Sequence, residues 1–168
     1  QSLEIEVVSG SALKPMAQVL PALKRNDLQF GEVLMSSCAD IHPLLAMDSL
    51  PFMVRGFDEA ARLWQLTRPV LQEFLLAQQG ARLLFAVPWP AQGLLGRRPV
   101  HSIADLKGLR LRVQSDATKR LAELWGAQPV VIAAGDLGAV VEQGGIDAMI
   151  TSSATGADIQ AWKAMKVF

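Results

Sequence analysis

The fold of this chain is decided by HSIADLKGLRLRVQSD, which spans residues 101–116. Ser102 and Gly108 are suited to begin and end a short helix, because serine caps helix N-termini and glycine follows helix C-termini. Residues 109–113 then alternate apolar side chains with arginines, which is the pattern of a strand with one covered face. Arg112 therefore lies near the carboxyl end of a predicted strand.

The segment after this strand predicts a helix, so that the two elements begin a β-α-β unit. Ser115 or Asp116 caps the helix, which runs from Ala117 to Trp125, and Gly126 ends it. In an open α/β sheet, ligands bind at the carboxyl ends of the strands. A guanidinium placed there can hold a carboxylate through two parallel hydrogen bonds. The same pattern also fits a surface salt bridge, and geometry alone leaves both interpretations open.

The rest of the C-terminal half continues the alternation of strand and helix. Strands are predicted at 128–132 and 146–150, and Asp136 caps a helix between them. This order is typical of a mainly parallel sheet with right-handed crossovers. We expect three strand ends to converge, and a helix starting near Ala157 to offer backbone N–H groups to an anion. The converging segments are Arg112 with Gln114, residues 133–135, and Thr151 with Ser152 and Ser153.

The N-terminal half is predicted to contain three strands and several helices. The strands are 3–8, 33–37 and 81–87, and the last is almost wholly apolar, as in strands buried on both faces. Small polar side chains end the second strand, where Ser37 would face a crevice. Helices are predicted at 13–24, at 40–47, from Asp58, and from Pro69 to about Gln78.

A loop at 88–93 follows the third of these strands, and its two prolines exclude a regular central strand. Within the loop, Trp89 stands between two prolines, where a tryptophan is commonly a packing anchor.

The composition limits the classes of function. The chain has 168 residues, 51% of them hydrophobic, with 16 basic and 16 acidic side chains, so it is globular and has no net charge. Without a basic run, nucleic acid is not predicted as a partner. No apolar run is long enough to span a membrane, and direct membrane insertion is not expected. Cys38 is the only cysteine, which excludes an intramolecular disulfide.

Three residues could suggest catalysis or metal binding. Cys38 and His42 lie four positions apart, but a thiol and its base are brought together by the fold rather than by sequence spacing. With His101 they form no recognisable spacing of metal ligands. A packed cysteine and surface histidines are the better interpretation, and the glycines form no nucleotide-binding motif. The sequence predicts no enzyme activity, no metal and no cofactor.

Several ordered motifs resemble the solute-binding proteins of tripartite ATP-independent periplasmic (TRAP) transporters. The main one is R-x-[VI]-x-S-I-A-D-L-K-G-L-R-L-R-V at 98–113, and the resemblance extends over nearly the whole chain. The others are GEVLMSS at 31–37, LPFMVRGFDEA at 50–60, and WGAQPVVI followed by DLGAVVEQGGIDAM within 125–149.

The resemblance implies a periplasmic-binding-protein-like α/β fold, with two doubly wound, mainly parallel domains around a ligand cleft. Residues 1–96 would form part of domain I and residues 97–168 part of domain II. Because family members are longer, the chain is expected to be an internal portion of one.

The resemblance also implies roles for individual residues. The family arginine that holds the substrate carboxylate matches Arg112, and a second family arginine matches Arg98, which either reaches the substrate or forms an interdomain salt bridge. Arg97 and Arg110 are expected to face solvent.

The family asparagine that contacts ligand is replaced here by Thr151, with Ser152 and Ser153 as alternates. Gln114 stands where the family commonly has proline, and its amide can donate a hydrogen bond to a ligand. The loop at 88–93 corresponds to the passage from domain I to domain II of the family, which makes Trp89 and Gln92 candidates for the ligand cleft, and Ser37 is a candidate from its place at a strand end.

These inferences predict a protein that captures an organic acid and delivers it to the membrane subunits of a TRAP transporter in the periplasm. A ligand-sensing input domain of the same fold is the alternative, and an enzyme acting on a small carboxylate is a weaker one. Val33 with Leu34, Ala134 and Thr151 replace polar or aromatic residues of the family. They predict an aromatic or branched monocarboxylate rather than a sugar acid or a small diacid.

Overall fold

A computed structural model of the chain describes residues 4, 13–132 and 134–168. The chain divides into two compact units. The first is built from residues up to 50 together with 61–86, and the second from 51–60 together with 87–168. The predicted domain boundary between residues 96 and 97 stays a prediction.

The first unit is helical in its described part. Helix α1 is Val19–Lys24 and helix α2 is Phe57–Gln79, whose first residues belong to the second unit. Short 3-10 helices at Met16–Gln18, Met35–Cys38 and Pro43–Ser49 complete it. Its buried core is formed by Leu20, Cys38, Leu45, Leu71 and Leu75.

Two strands predicted for this half are wrong. Residues 33–37 lead into the 3-10 helix Met35–Cys38, and residues 81–87 are irregular, with Leu84, Phe85 and Val87 exposed. An apolar run becomes a strand only when a neighbouring strand pairs with its backbone, and the described residues supply none here. The third predicted strand, residues 3–8, lies outside the described residues apart from Glu4.

Helix α2 also corrects the prediction of two helices at this place. Pro69 lies inside one continuous helix rather than at the start of a second, and Asp58 lies in the first turn rather than at the cap. An internal proline costs about 3 kcal/mol, because it removes a backbone hydrogen bond and crowds the preceding turn. Burial of Leu71 and Leu75 after the proline offsets that cost by holding the helix against the core.

The second unit contains a four-stranded sheet of β1 (Gln92–Gly96), β2 (Arg110–Val113), β3 (Gln128–Val131) and β4 (Ala148–Ser152). The strand order is β1-β4-β2-β3, in which β2 is parallel to both β3 and β4 and β1 is antiparallel to β4. The prediction of a mainly parallel α/β sheet is confirmed.

Helices connect these strands as the sequence indicates. They are α3 (Asp116–Leu124), α4 (Leu137–Glu142) and α5 (Ser153–Asp158), with 3-10 helices at Ile103–Leu106, Ala134–Asp136 and Ala161–Lys163. The predicted caps at Ser102 and Ser115 are confirmed, and Gly108 has a φ of 76° just after its helix. Helix α5 begins at Ser153, four residues before the predicted start at Ala157, because Ser152 caps it.

Both faces of the sheet are covered. One face packs against α3, where Leu111, Val113 and Ile150 are buried with Ala122. The opposite face packs against α4 and the segment after α5, where Met149 is buried with Leu137, Val141 and Met165. The second unit is therefore a three-layer α/β structure with a core on each side of the sheet.

After the two central strands, β2 and β4, the chain continues over opposite faces of the sheet. The helix after β2 covers one face, and the segment after β4 covers the other, although β2 and β4 are neighbours. Such a reversal opens a crevice at the carboxyl ends of the strands, which is where ligands bind in open α/β sheets. The β2 to β4 ladder ends at the pair Arg112 and Met149.

Candidate functional site

Arg112 is at this reversal point, one residue before the end of β2. Its neighbours Leu111 and Val113 enter the core beside α3, so its own side chain lies on the opposite face, the face of Met149. Arg112 is only 6% exposed. A buried guanidinium at a strand end is well suited to hold a carboxylate.

The hydrogen bonds of Arg112 leave part of its guanidinium without a partner. Nη1 donates to the carbonyl oxygen of Ile150 at 3.3 Å and to Oε1 of Gln114 at 2.9 Å. Nε is buried and has no hydrogen-bond partner within the described part of the chain. Among the residues that the structure describes, no carboxylate forms an ion pair with Arg112.

This environment is unfavourable for a charge. Burial lowers the pKa of the Arg112 guanidinium by desolvation, although an arginine keeps its proton at physiological pH. A buried cation is normally paired, and a buried donor without an acceptor costs about 1–3 kcal/mol. An anion with two acceptor oxygens would satisfy both requirements.

Two glutamines continue the hydrogen bonding from Arg112 towards β1. Gln114 Nε2 donates to Oε1 of Gln92 at 2.9 Å, and Gln92 Nε2 donates to the carbonyl oxygen of Pro90 at 3.0 Å. The structure therefore brings Arg112, Gln114 and Gln92 together in one chain of contacts. Gln92 begins β1 opposite Ser152, which places it at the carboxyl end of β4.

A second group of contacts joins Trp89 to the end of β4. The indole Nε1 of Trp89 donates to Ser152 Oγ at 3.1 Å, and Ser152 Oγ donates to Thr155 Oγ1 at 3.1 Å. Ser152 is fully buried, whereas Trp89 remains 60% exposed. Ser152 thus anchors both Trp89 and the start of α5. Ser153 is exposed in the first turn of that helix.

Thr151 lies on the same face of the sheet as Arg112, because side chains alternate along β4 and Met149 is on that face. It is buried opposite Gly93 of β1.

One residue of this region escaped the sequence analysis. Thr118 Oγ1 accepts hydrogen bonds from the backbone N–H groups of Gln114 and Ser115, at 3.2 and 3.0 Å. Thr118 therefore fixes the turn that carries Gln114. The signal was available in the spacing of Ser115 and Thr118, since a reciprocal capping pair has its members three residues apart.

Other predicted site residues lie elsewhere. Arg98 is exposed and follows the far end of β1, where Gly96 pairs with Ala148 at the start of β4, so it does not join the Arg112 group. Ser37 belongs to the first unit and is half-buried. Residue Ala133 and the side chain of Ala134, in the predicted turn 133–135, lie outside the described part of the molecule.

Arg97 and Arg110 do not simply face solvent, as the sequence had suggested. Arg97 donates to the carbonyl oxygens of Ile146 and Val141. Arg110 donates to the carbonyl oxygen of Gly144 and pairs with Asp147. Both guanidiniums donate hydrogen bonds to backbone carbonyls at and just after the end of α4. The strand pattern around Arg110 does not indicate these contacts.

The cysteine is packed in the core of the first unit. Burial, with a smaller effect of Asp40, raises the pKa of the Cys38 thiol, so the reactive thiolate is disfavoured. His42 accepts a backbone hydrogen bond from Leu44 and its ring lies 4.7 Å from that of Phe74. In the described ranges, 13–132 and 134–168 with Glu4, no three acidic, histidine or cysteine side chains cluster as metal ligands.

Comparison with known families identifies the chain. Residues 2–160 match the model of the bacterial extracellular solute-binding proteins, family 7. The chain belongs to this family. Its fold is similar to that of solved extracytoplasmic solute receptors.

Two solved structures from Bordetella pertussis are similar to this family 7 chain. One is an extracytoplasmic solute receptor described as binding pyroglutamic acid, with 41% identity, a TM-score of 0.88, and coverage of 98% of this chain and 54% of its own. The other, described in the same words, has 35% identity, a TM-score of 0.85, and coverage of 92% and 51%.

A curated solute-binding protein of Albidiferax ferrireducens is 25% identical over 154 residues, which is 90% of this chain and 45% of that protein. The chain thus spans about half the length of these relatives. None of the helices in the described residues is both long and apolar enough to cross a membrane.

Proposed function

We propose that this family 7 chain provides the carboxylate-binding part of a receptor that captures an organic acid and delivers it to the membrane subunits of a TRAP transporter. The observation that carries the proposal is the buried Arg112, which has no ion-pair partner among the described residues and an unpartnered Nε. The bound acid would supply the missing negative charge. The family's extracellular description favours a periplasmic location for the protein.

The role of the protein in this proposal is binding without chemical conversion. Arg112 would hold the carboxylate, while Gln114, Thr151 and Trp89 shape the surroundings at the same sheet edge. The only cysteine is buried, which leaves an enzyme without its candidate nucleophile.

We propose a small cyclic monocarboxylate of the pyroglutamate type as the first candidate ligand. Solved relatives with 41%, 35% and 30% identity are described as receptors for pyroglutamic acid or pyroglutamate. This acid has one carboxylate, in keeping with the single buried arginine of the described site. The expectation of an aromatic or branched monocarboxylate stays a prediction.

The test is a thermal-shift screen of the purified protein with pyroglutamate, malonate, galacturonate and phenylacetate, followed by calorimetry. A ligand stabilises the folded state by RT ln(1 + [L]/Kd), so the preferred acid gives the largest shift. We expect Arg112→Ala to lose at least thirtyfold in affinity, which corresponds to the roughly 2–5 kcal/mol lost when one partner of a buried charge pair is removed. Arg112→Lys should also bind poorly, because an ammonium lacks the planar fork.

Arg120→Ala is the matched control. Arg120 is exposed on α3 and pairs only with Glu123 among the described residues, so its removal should leave acid binding unchanged. Affinity of Arg112→Ala within threefold of the wild-type protein would overturn the proposed function, and so would a protein that none of the four acids stabilises.

A further inference from the structure

The hydrogen bonds around Arg112 assign a role to the two glutamines that differs from direct ligand contact. Arginine can only donate hydrogen bonds, so the Gln114 atom facing Arg112 Nη1 must be its oxygen. The amide nitrogen of Gln114 then faces Gln92, which must present its own oxygen, 2.9 Å away.

The far end of this chain fixes the same orientation independently. The carbonyl oxygen of Pro90 can only accept, and it lies 3.0 Å from the amide nitrogen of Gln92. Both ends therefore agree, and each glutamine has one consistent orientation. Each donor in this series faces an acceptor, from the Arg112 guanidinium through Gln114 and Gln92 to the carbonyl oxygen of Pro90.

We propose that Gln114, held by Gln92, is a positioning residue that fixes the rotation of the Arg112 guanidinium for carboxylate capture. Gln114 and the Ile150 carbonyl both engage Nη1, which directs the remaining edge of the guanidinium, Nε with Nη2, to the acid. This inference rests on the proposed function of Arg112. It differs from the sequence expectation that Gln114 itself donates to the ligand.

The neutrality of Gln114 is part of the role. A glutamine oxygen orients the guanidinium without cancelling its charge, whereas a carboxylate at 2.9 Å would neutralise it and occupy the place of the acid. Gln114→Glu should therefore raise the stability of the protein without acid and weaken its binding of the acid. A residue with a merely structural role would move both in the same direction.

The experiment compares Gln114→Glu and Gln114→Met with the wild-type protein by thermal melting without acid and by calorimetry with pyroglutamate. We expect Gln114→Glu to melt at a higher temperature and to bind pyroglutamate at least tenfold more weakly. Gln143→Glu is the control, since Gln143 is exposed at the end of α4, before the start of β4, and should change neither. Wild-type affinity in Gln114→Glu would overturn the inference.

A measurement without ligand separates this inference from the proposed function. In nitrogen-15 spectra of the arginine side chains, a fixed Arg112 guanidinium gives resolved Nη signals, and Gln114→Met should merge them. Signals that do not change in Gln114→Met would overturn the positioning role even if the wild-type protein binds pyroglutamate. If the signals merge but the wild-type protein binds none of the acids tested, the positioning role is supported and the proposed function fails.

Gln92 provides a further test of the chain of contacts. Gln92→Met should weaken pyroglutamate binding by about two- to fivefold, and the double variant with Gln114→Met should bind about as weakly as Gln114→Met alone, because coupled residues are not additive. Fully additive losses would show that Gln92 does not act through Gln114 and would overturn that part of the inference.

Discussion

Arg110 and Asp147 form a two-point ion pair between the start of β2 and the segment that leads into β4. Nη2 of Arg110 lies 2.8 Å from Asp147 Oδ1, and Nε lies 3.1 Å from Oδ2. The backbone N–H of Arg110 adds a third contact to the same carboxylate at 2.9 Å. This pair closes the end of the sheet opposite to the Arg112 site, so two arginines of one short strand have different surroundings.

The first prediction concerns the pH dependence of stability. Hydrogen bonds from the Arg110 side chain hold the pKa of Asp147 below its ordinary value. The carboxylate therefore stabilises the folded state at pH values above about 3.9, the pKa in an unfolded chain, and this contribution is lost as the pH falls through the lower folded-state pKa. We expect Asp147→Asn to lower the free energy of unfolding at pH 7 and to flatten its fall in acid.

Urea titrations between pH 7 and pH 2 measure this effect. Asp158→Asn, an exposed change at the end of α5, serves as the control. An acid slope in Asp147→Asn as steep as in the wild-type protein would contradict the assignment.

The second prediction is that Arg112 destabilises the protein when no acid is bound. Replacing the partly satisfied, buried Arg112 by methionine removes the cost of an uncompensated charge, and such replacements are often stabilising. We expect Arg112→Met to raise the free energy of unfolding by about 1 kcal/mol in an acid-free buffer. Arg110→Met should lower it, because Asp147 loses its partner. Urea unfolding of both variants decides the matter, and a loss of stability in both would refute this explanation.

The third prediction tests the contact between Trp89 and Ser152. Trp89→Phe keeps an aromatic ring but removes the N–H that donates to Ser152 Oγ. We expect a loss of about 0.5–1.5 kcal/mol in unfolding free energy, the usual net value of one hydrogen bond. Trp162→Phe is the matched control, because Trp162 is 61% exposed and should change stability little. Equal effects of the two substitutions would show that the hydrogen bond contributes nothing measurable.

The fourth prediction separates backbone conformation from packing. Gly108 has a φ of 76°, and within the described part of the molecule no atom lies within 4 Å of where its Cβ would be, so Gly108→Ala is penalised by its left-handed backbone. We expect a loss of about 1 kcal/mol. Gly135 has the same open surroundings without a positive φ, and Gly135→Ala should be tolerated. Thermal melting compares the two, and equal melting temperatures would contradict the argument.

The C-terminal half was largely predictable because its signals are local. The caps at Ser102 and Ser115 and the alternation around Arg112 each fall within a few residues, and the structure has the corresponding helices and strand. Residues 81–87 have an equally strong apolar pattern but form no strand. A strand depends on a partner that often lies far away in the chain, and the sequence of one segment does not contain that information.

The residues of the candidate site were likewise predictable only where the signal is local. Arg112 could be proposed from its strand-end position together with the family motif, and Gln114 from its place two residues later. The path from Gln114 through Gln92 to Pro90 depends on the antiparallel return of β1 beside β4, a pairing of segments about 60 residues apart that no spacing rule indicates. The ion pair of Arg110 was not predicted for a similar reason, since its partner Asp147 is 37 positions away.

The opposite courses of the chain after β2 and β4 have an evolutionary consequence. Gln114 and Trp89 lie in the segments next to β2 and β1, whereas the two apolar cores are built from residues of the strands and of the helices that cover them. Under the proposed function, substitutions in those segments can therefore change which acid is preferred without disturbing either core.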